Sequence, residues 1–538
     1  MILNHATDHP LFVRRYGGVG SVLPVLEWDV RAYLALNGAV HDAACTAWLL
    51  KHQYDSARPI SVIRYLAGLG QSSEPAGPSY HARGLPLMPG LIEAITAVSS
   101  AAGQRHAHLA DSVGQIAIRA WQGNPSDAKT QLGAVGWILG VRWVPYQMST
   151  FVTPAFPGYV SGHSTFSRAA AEVLTLLTGS PFFPGGLGEH RFAANSFLEF
   201  ERGPSSDLSL QWATYYDAAD QAGLSRLFGG IHPSIDDVVG RRLGARVGLA
   251  AFLKAQTLRH GGTTTGRGLI NLSSRGRTGT GDDTLIAGFV IDGAMSQTTL
   301  VRSIGPALAN FGFPAERCEP DPSLELHRSS DDAILLVNDN WSASPRAAAI
   351  VARAAGVGAF ALVPGSKDAA EISDLPDGGY SMVLRSAAPA KRGIALAEIY
   401  GQQLLNLSTR GSVGRGDNVL VAGFVIDSAD PLPVLVRGVG PTLTAFGVRS
   451  ALGNPTLMIY RQLGGGSTAL VASNDNWGTD SKASLAQNAA EVVGAFPLTV
   501  GSRDAALFLQ LAAGSYTAVL ASADDSEGVA LVEVYRVK

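Results

Sequence analysis

Two textures divide the chain near residue 260. Before it, apolar residues recur at steps of three and four. Leu26, Val30, Tyr33, Asn37, His41, Ala44 and Trp48 share one face of a predicted helix, so His41 is expected in the core. His106–Trp121, Thr165–Leu177, Leu208–Phe228 and Asp236–Leu258 read as further helices, with Gly179 and Gly229-Gly230 as stop signals. After residue 260, short apolar runs alternate with Gly, Asp, Asn and Pro turns, which is an all-β texture.

The β half is a tandem duplication. Asn271-Leu272-Ser273-Ser274-Arg275 returns as Asn406-Leu407-Ser408-Thr409-Arg410, and Ala287–Asp292 returns as Ala422–Asp427. Asn338-Asp339-Asn340-Trp341 returns as Asn474-Asp475-Asn476-Trp477. A period this long means two copies of a whole domain rather than a solenoid. The chain is thus expected to be multidomain: an all-α helical bundle over residues 1–258, a linker over 259–265, and two all-β sandwich repeats over 266–400 and 401–538.

Composition narrows the classes. Of 538 residues 62 are Gly, and only 16% are charged, against ~25% in an average soluble chain. The formal net charge of −3 excludes binding of nucleic acid through a basic patch, and the 46% apolar content excludes disorder. No apolar run reaches the ~18 residues of a membrane-spanning helix. Cys45 and Cys318 are too few for a disulfide framework or a cysteine metal site.

Three short motifs in the helical half carry chemistry. They are Lys51 followed after six residues by Arg58-Pro59, then Ser161-Gly162-His163, then Ser225-Arg226 followed after five residues by His232. Taken singly, each reads as a solvated face or a turn. Together they describe a site for a tetrahedral oxyanion. Arg58 and Arg226 offer planar two-pronged donors and Lys51 a point charge. Pro59 is expected to stop the helix carrying Lys51, leaving Arg58 at its end. Ser161 and the Gly162 amide lead into a helix N-terminus, which favours an anion. His163 is a candidate general acid or base, and a neutral His232 can bond the anion's central atom, phosphorus or a metal. Asp236 and Asp237 suit the helix dipole, and Asp236 also suits an orienting role toward His232 or Arg226.

These motifs resemble the superfamily that joins vanadium-dependent haloperoxidases with type 2 phosphatidic acid phosphatases and bacterial acid phosphatases. The match departs at Val160, where proline is usual. Thr153–Tyr159 and Gly229-Gly230-Ile231-His232 with Asp236-Asp237 are more similar to the haloperoxidase branch. The resemblance covers roughly residues 26–257 and implies a helical bundle. It also implies that Lys51, Arg58, Ser161, Gly162 and Arg226 hold vanadate, that His232 is the axial vanadium ligand, and that His163 is the acid–base residue. Phe156 then lines the pocket, and phosphate can occupy the same site. Hydrogen peroxide would oxidise halide to a hypohalous-acid-type species that acts on a small organic acceptor. The rivals are a soluble acid phosphatase working through a phosphohistidine, and an inactive surface-binding protein.

Other features have plainer readings. Hairpin turns explain Asn338–Asn340 and its repeat better than calcium does, and Trp341 and Trp477 read as core. Arg415-Gly416-Asp417 aligns with Thr280-Gly281-Asp282, so a turn glycine accounts for the adhesion-like tripeptide. The β repeats resemble C-terminal repeats of large secreted bacterial proteins, and are read as spacing or attachment modules toward a cell surface or glycan. No signal peptide is visible, and 50 residues precede Lys51, fewer than the family's haloperoxidases carry. The expectation is an exported protein, extracellular or periplasmic, either shortened at its N-terminus or with a bundle that a partner chain completes.

Overall fold

The computed structural model describes residues 2–150, 153–196, 200–259, 268–279, 281, 284–292, 296–387, 392–416 and 418–538. The chain divides into two compact units, Met1–Arg14 with Leu23–Ala255 and Arg15–Val22 with Gln256–Lys538. The expected linker lies mostly outside the described residues. Its first member, Arg259, is instead the last residue of a helix.

The first unit is built from helices α1 (Ile2–Thr7), α2 (Val25–Tyr54), α3 (Pro59–Leu69), α4 (Gly162–Thr178) and α5 (Tyr215–Phe228), with most of α6 (Ser234–Arg259). It also holds a small antiparallel sheet of β1 (Ile92–Ala94), β2 (Ile116–Trp121) and β3 (Val135–Leu139), and a hairpin of β4 (Gly188–Phe192) and β5 (Leu208–Trp212). Helix α4 is the central element. Ser161 caps its start, Gly179 ends it in the left-handed conformation at φ 77°, and Val173, Leu174, Leu176 and Leu177 are buried. Helix α6 approaches α4 along glycines spaced by four. A Cβ on Gly244 would stand 2.1 Å from the Thr165 carbonyl oxygen, so no larger residue fits this crossing.

Three sequence expectations change here. His106–Trp121 is not a helix but a short 3-10 turn, Ala107–Ser112, followed by β2. Gly114 at φ 89° breaks the helical path, and Ile116-Ala117-Ile118 pairs with β1 and β3. Leu208–Phe228 splits into β5 and α5 at Thr214, whose side chain forms a capping box with Asp217. The predicted face of α2 points outward: Leu26, Val30 and Trp48 are exposed, as is His41. The buried stripe is Trp28, Ala32, Ala35, Ala39, Ala43, Ala47 and Lys51. Small side chains allow close helix contact, so packing selects alanine where the periodicity favours larger residues.

The second unit carries β6 (Gly268–Arg277), β7 (Leu285–Ile291), β8 (Gln297–Ile304), β9 (Pro322–Arg328), β10 (Ala333–Asn338), β11 (Ala369–Leu375), β12 (Gly378–Ser386) and β13 (Ile394–Val413). The second copy adds β14 (Leu420–Asp427), β15 (Leu432–Val439), β16 (Pro455–Gly464), β17 (Ser467–Asn474), β18 (Ala505–Leu511), β19 (Gly514–Ser522) and β20 (Gly528–Arg536). Each copy also has one short helix, α7 (Ala347–Gly356) and α8 (Ala483–Val492).

The copies exchange their opening strands. β6 opens the first copy and pairs with β14 of the second, while the later half of β13 opens the second copy and pairs with β7 of the first. The expected boundary at 400/401 therefore falls inside β13, and the two copies join in one antiparallel sheet system. One buried cluster, with Leu272, Phe289, Leu326, Phe424, Leu457 and Val534 among its members, spans both.

The recurring asparagines act on the backbone: Asn338 Oδ1 accepts from the Ala370 amide, and Asn474 Oδ1 from the Ala506 amide. Trp341 and Trp477 are buried. Gly281 and Gly416 both have positive φ, 60° and 62°, as turn glycines do. Thr280, Asp282 and Asp417 lie outside the described residues.

Candidate active site

Lys51 is the last member of the alanine stripe, four residues beyond Ala47, so it enters the protein at the end of α2. It is 2% exposed, and its Nζ donates to the carbonyls of Pro157 at 3.0 Å and Gly158 at 2.7 Å. Arg58 is not at the end of the helix that carries Lys51. It caps α3, whose first residue is Pro59, because proline fits a helix start where its missing N–H is not needed. Its Nε donates to the Phe156 carbonyl at 3.0 Å, and its Nη1 donates to the Ile231 carbonyl at 3.0 Å. The 156–158 loop thus ties both cations down by its carbonyls. The Phe156 ring lies over both, 5.3 Å from Lys51 Nζ and 5.1 Å from the Arg58 guanidinium carbon.

His232 lies between α5 and α6. Its Nδ1 is 2.7 Å from Asp236 Oδ2 and its Nε2 is 3.0 Å from Arg58 Nη1. A carboxylate only accepts and a guanidinium only donates, so the ring is neutral with its proton on Nδ1 and a lone pair on Nε2. Asp236 also fastens the next motif, because its carbonyl accepts from the Ser161 amide at 3.0 Å. Val160, where the family pattern has proline, follows a cis peptide bond and is fully buried.

Ser161 is fully buried, and its Oγ accepts from the Ser164 amide at the mouth of α4. A Cβ on Gly162 would stand 3.1 Å from both the Phe166 and Trp48 rings. His163 is exposed, and its ring lies tilted at 48° against that of Phe166 with centroids 5.2 Å apart. Arg226 sits in the last turn of α5.

The electrostatics show that these groups share one space. The basicity of His163 is lowered to about 4, first by desolvation of its ring and then by the charges of Arg226, His232 and Lys51. Lys51 is lowered to about 8 by burial and Arg58, against a raising pull from Asp236. Burial likewise pushes His232 down, with Asp236 opposing. Lys51, Arg58, Ser161, Gly162, His163, Arg226 and His232 are thus brought together, with Phe156 and Asp236 against them. Two buried donors in this cup, Arg58 Nη2 and Arg226 Nε, meet no acceptor among the described residues. Cations in excess, with orphaned N–H groups beside a neutral imidazole, fit a tetrahedral oxyanion such as vanadate or phosphate.

Residues 31–261 match the family model of the VCPO second helical-bundle domain. This stretch is a helical-bundle domain of the vanadium haloperoxidase superfamily. Solved structures show a similarity of limited extent. A bacterial vanadium-dependent chloroperoxidase in its apo form is 19% identical, with 45% of this chain and 39% of that chain covered and a TM-score of 0.31. For a holo form the values are 18%, 49%, 40% and 0.32. A bacterial vanadium-dependent iodoperoxidase is 31% identical over 21% of this chain and 23% of its own, with a TM-score of 0.15. The chain spans about two-fifths of the chloroperoxidases' length. No curated protein matches it.

Trp48 stands outside the three motifs. Its ring is 5.1 Å from that of Phe156 and 5.7 Å from Lys51 Nζ, so it forms a wall of the cup. Its place one helical turn before Lys51 was the available signal. Among the described residues no helix is long and apolar enough to cross a membrane.

Proposed function

We propose that the helical domain is a vanadate-dependent haloperoxidase, using hydrogen peroxide to oxidise halide to a hypohalous-acid-type species that acts on a small organic acceptor. One observation carries this reading: two buried arginine N–H groups without acceptors among the described residues, in a cationic cup beside a neutral imidazole. Lys51, Arg58, Ser161, the Gly162 amide and Arg226 would hold the oxygens of vanadate, and His232 Nε2 would bind its vanadium. Vanadate, when bound, supplies Lewis-acid activation of peroxide.

The protein's own groups do the rest. Asp236 keeps the His232 proton on Nδ1, so Nε2 carries a lone pair, which accepts from Arg58 Nη1 and would be free as a ligand atom once Arg58 donates to an oxyanion oxygen. His163 is neutral at pH 7, and a bound oxyanion would offset the cations that lower its basicity, which suits it to take a proton from incoming peroxide. Lys51, near 8, remains charged at pH 7 and supplies a donor to the reacting oxygens. Phe156 and Trp48 keep water from one side and shape the approach of halide. The β copies, whose buried Arg302 and Arg437 are ion-paired within the fold, are read as a spacing or attachment unit of an exported protein, toward a cell surface or glycan.

A second reading rests on the His232–Asp236 pair, which also suits an imidazole nucleophile. Phosphate would then take the cup, and His163 would protonate the leaving alcohol. Halogenation assays on the full chain separate the two. Peroxide- and bromide-dependent halogenation that appears only after orthovanadate loading is expected. Hydrolysis of an aryl phosphate, inhibited by vanadate, in place of halogenation would favour the phosphatase. His232→Ala should lose retained vanadium by elemental analysis, and unchanged vanadium content would refute the role of His232 as its ligand.

A further inference from the structure

A chain of buried polar groups runs from Ser161 away from the cup. Ser164 Oγ lies 2.8 Å from Ser161 Oγ and donates to Asp237 Oδ1 at 2.7 Å. Arg241 grips Asp237 with both prongs, Nε to Oδ1 at 3.0 Å and Nη2 to Oδ2 at 2.7 Å. Its Nη1 meets Asp220 Oδ2 at 2.8 Å. Ser161 and Ser164 are fully buried and Asp237 is 3% exposed. Three helices build the chain: α4 gives the serines, α6 gives Asp237 and Arg241, and α5 gives Asp220. Helix α5 also leaves room for it at Gly223, where a Cβ would stand 2.2 Å from Asp237 Oδ1 and 3.0 Å from Ser164 Oγ.

We propose that Ser164 and Asp237 are positioning residues that orient the Ser161 hydroxyl for a bound oxyanion. Asp237, ion-paired with Arg241, only accepts, and Ser164 has one hydroxyl proton for two acceptors, Asp237 Oδ1 and Ser161 Oγ. Arg241 Nε also donates to Asp237 Oδ1, so that oxygen keeps a donor when the Ser164 proton turns to Ser161. The backbone amide of Ser164 donates to Ser161 Oγ as well. With the oxygen of Ser161 held by both donors of Ser164, its one hydroxyl hydrogen is left for an oxygen in the cup. Asp237 holds Ser164 Oγ in place and acts on the oxyanion only through it.

This inference rests on the oxyanion-site reading, and titration calorimetry on the full chain separates the two. The probes are inorganic phosphate and orthovanadate. Ser161→Ala should weaken binding about tenfold, and Ser164→Ala about fivefold, the size of one oriented hydrogen bond. The double variant Ser161→Ala with Ser164→Ala should bind no more weakly than Ser161→Ala alone, because Ser164 acts only through Ser161. Asp237→Asn should match Ser164→Ala, with thermal melting followed in every variant. If the Ser164→Ala factor multiplies that of Ser161→Ala, its effect is structural and the positioning role is overturned. Loss of affinity in Ser161→Ala alone, with Ser164→Ala unchanged, also overturns it while leaving the oxyanion site standing. Failure of the unaltered chain to bind either anion overturns the site reading and this inference together.

Discussion

Each half of the chain buries arginines, and the two halves treat them in opposite ways. In the β unit, Arg302 and Arg437 are almost wholly buried, at equivalent places in the two copies. Each meets a glutamate: Arg302 Nε lies 2.8 Å from Glu398, and Arg437 Nε 2.7 Å from Glu533. Each also donates to a phenylalanine carbonyl, of Phe360 or Phe496, and lies over that ring at 4.2 or 4.4 Å. Tyrosine hydroxyls, Tyr400 and Tyr535, donate to the same glutamates. In the helical unit Arg58 is buried too, but its Nη1 meets a carbonyl and a neutral imidazole, and its Nη2 has no acceptor among the described residues. Burial of a guanidinium therefore does not mark a ligand site. The absence of a carboxylate in contact with it does, because a buried cation with spare donors is completed best by an anion from outside the chain.

The largest effect should follow from creating such a cation in the β unit. Glu398→Ala leaves Arg302 buried without its partner, and should destabilise that unit by about 3–5 kcal/mol. Denaturant unfolding measures it, and a loss under ~1 kcal/mol would mean that water or a relaxed packing replaces the carboxylate. Oxyanion binding should be untouched.

Arg58→Ala is the converse. It removes a cation that no carboxylate contacts, together with the donors to the Phe156 and Ile231 carbonyls, so melting should fall, but by less than in Glu398→Ala. Phosphate or vanadate affinity should fall by a factor of about 30–100, the range of a buried charged hydrogen bond. Equal unfolding in Arg58→Ala and Glu398→Ala would erase the distinction between the two kinds of arginine.

The site was more legible in the sequence than the fold around it. Lys51, Arg58, His163, Arg226 and His232 stand out because an oxyanion cup would need those side chains at set spacings, whatever elements carry them. The elements were harder. The large apolar residues of α2, Leu26, Val30 and Trp48, gave the stronger periodic signal yet face outward, while the alanines between them make the contact. Helical periodicity reports that two faces differ and not which one is packed. In 106–121 the decisive feature was Gly114, whose positive φ ends any helix before the alternating Ile116 and Ile118. The exchange of β6 and β13 between the copies could not be read at all. Duplication predicts two like domains, and which copy a strand pairs with depends on long-range register.

The surplus of positive charge in the cup has a proton counterpart, and it carries the smallest predicted effect. His163 is held near 4 in the folded chain against 6.5 in an ordinary imidazole. Between those values the unfolded chain takes up a proton that the folded chain refuses. Stability is therefore undiminished above pH 6.5 and falls as the pH drops toward 4. Carboxylates and His232 add their own acid losses, so the measurement is the difference between the unaltered protein and His163→Gln. Melting of the helical unit should fall less steeply with acid in His163→Gln, by a few degrees over that range. Phosphate should flatten the unaltered protein's curve as well, because a bound anion offsets the charges of Arg226 and Lys51 that depress the ring. Parallel curves for the two proteins, with and without phosphate, would show that His163 does not sit among those cations.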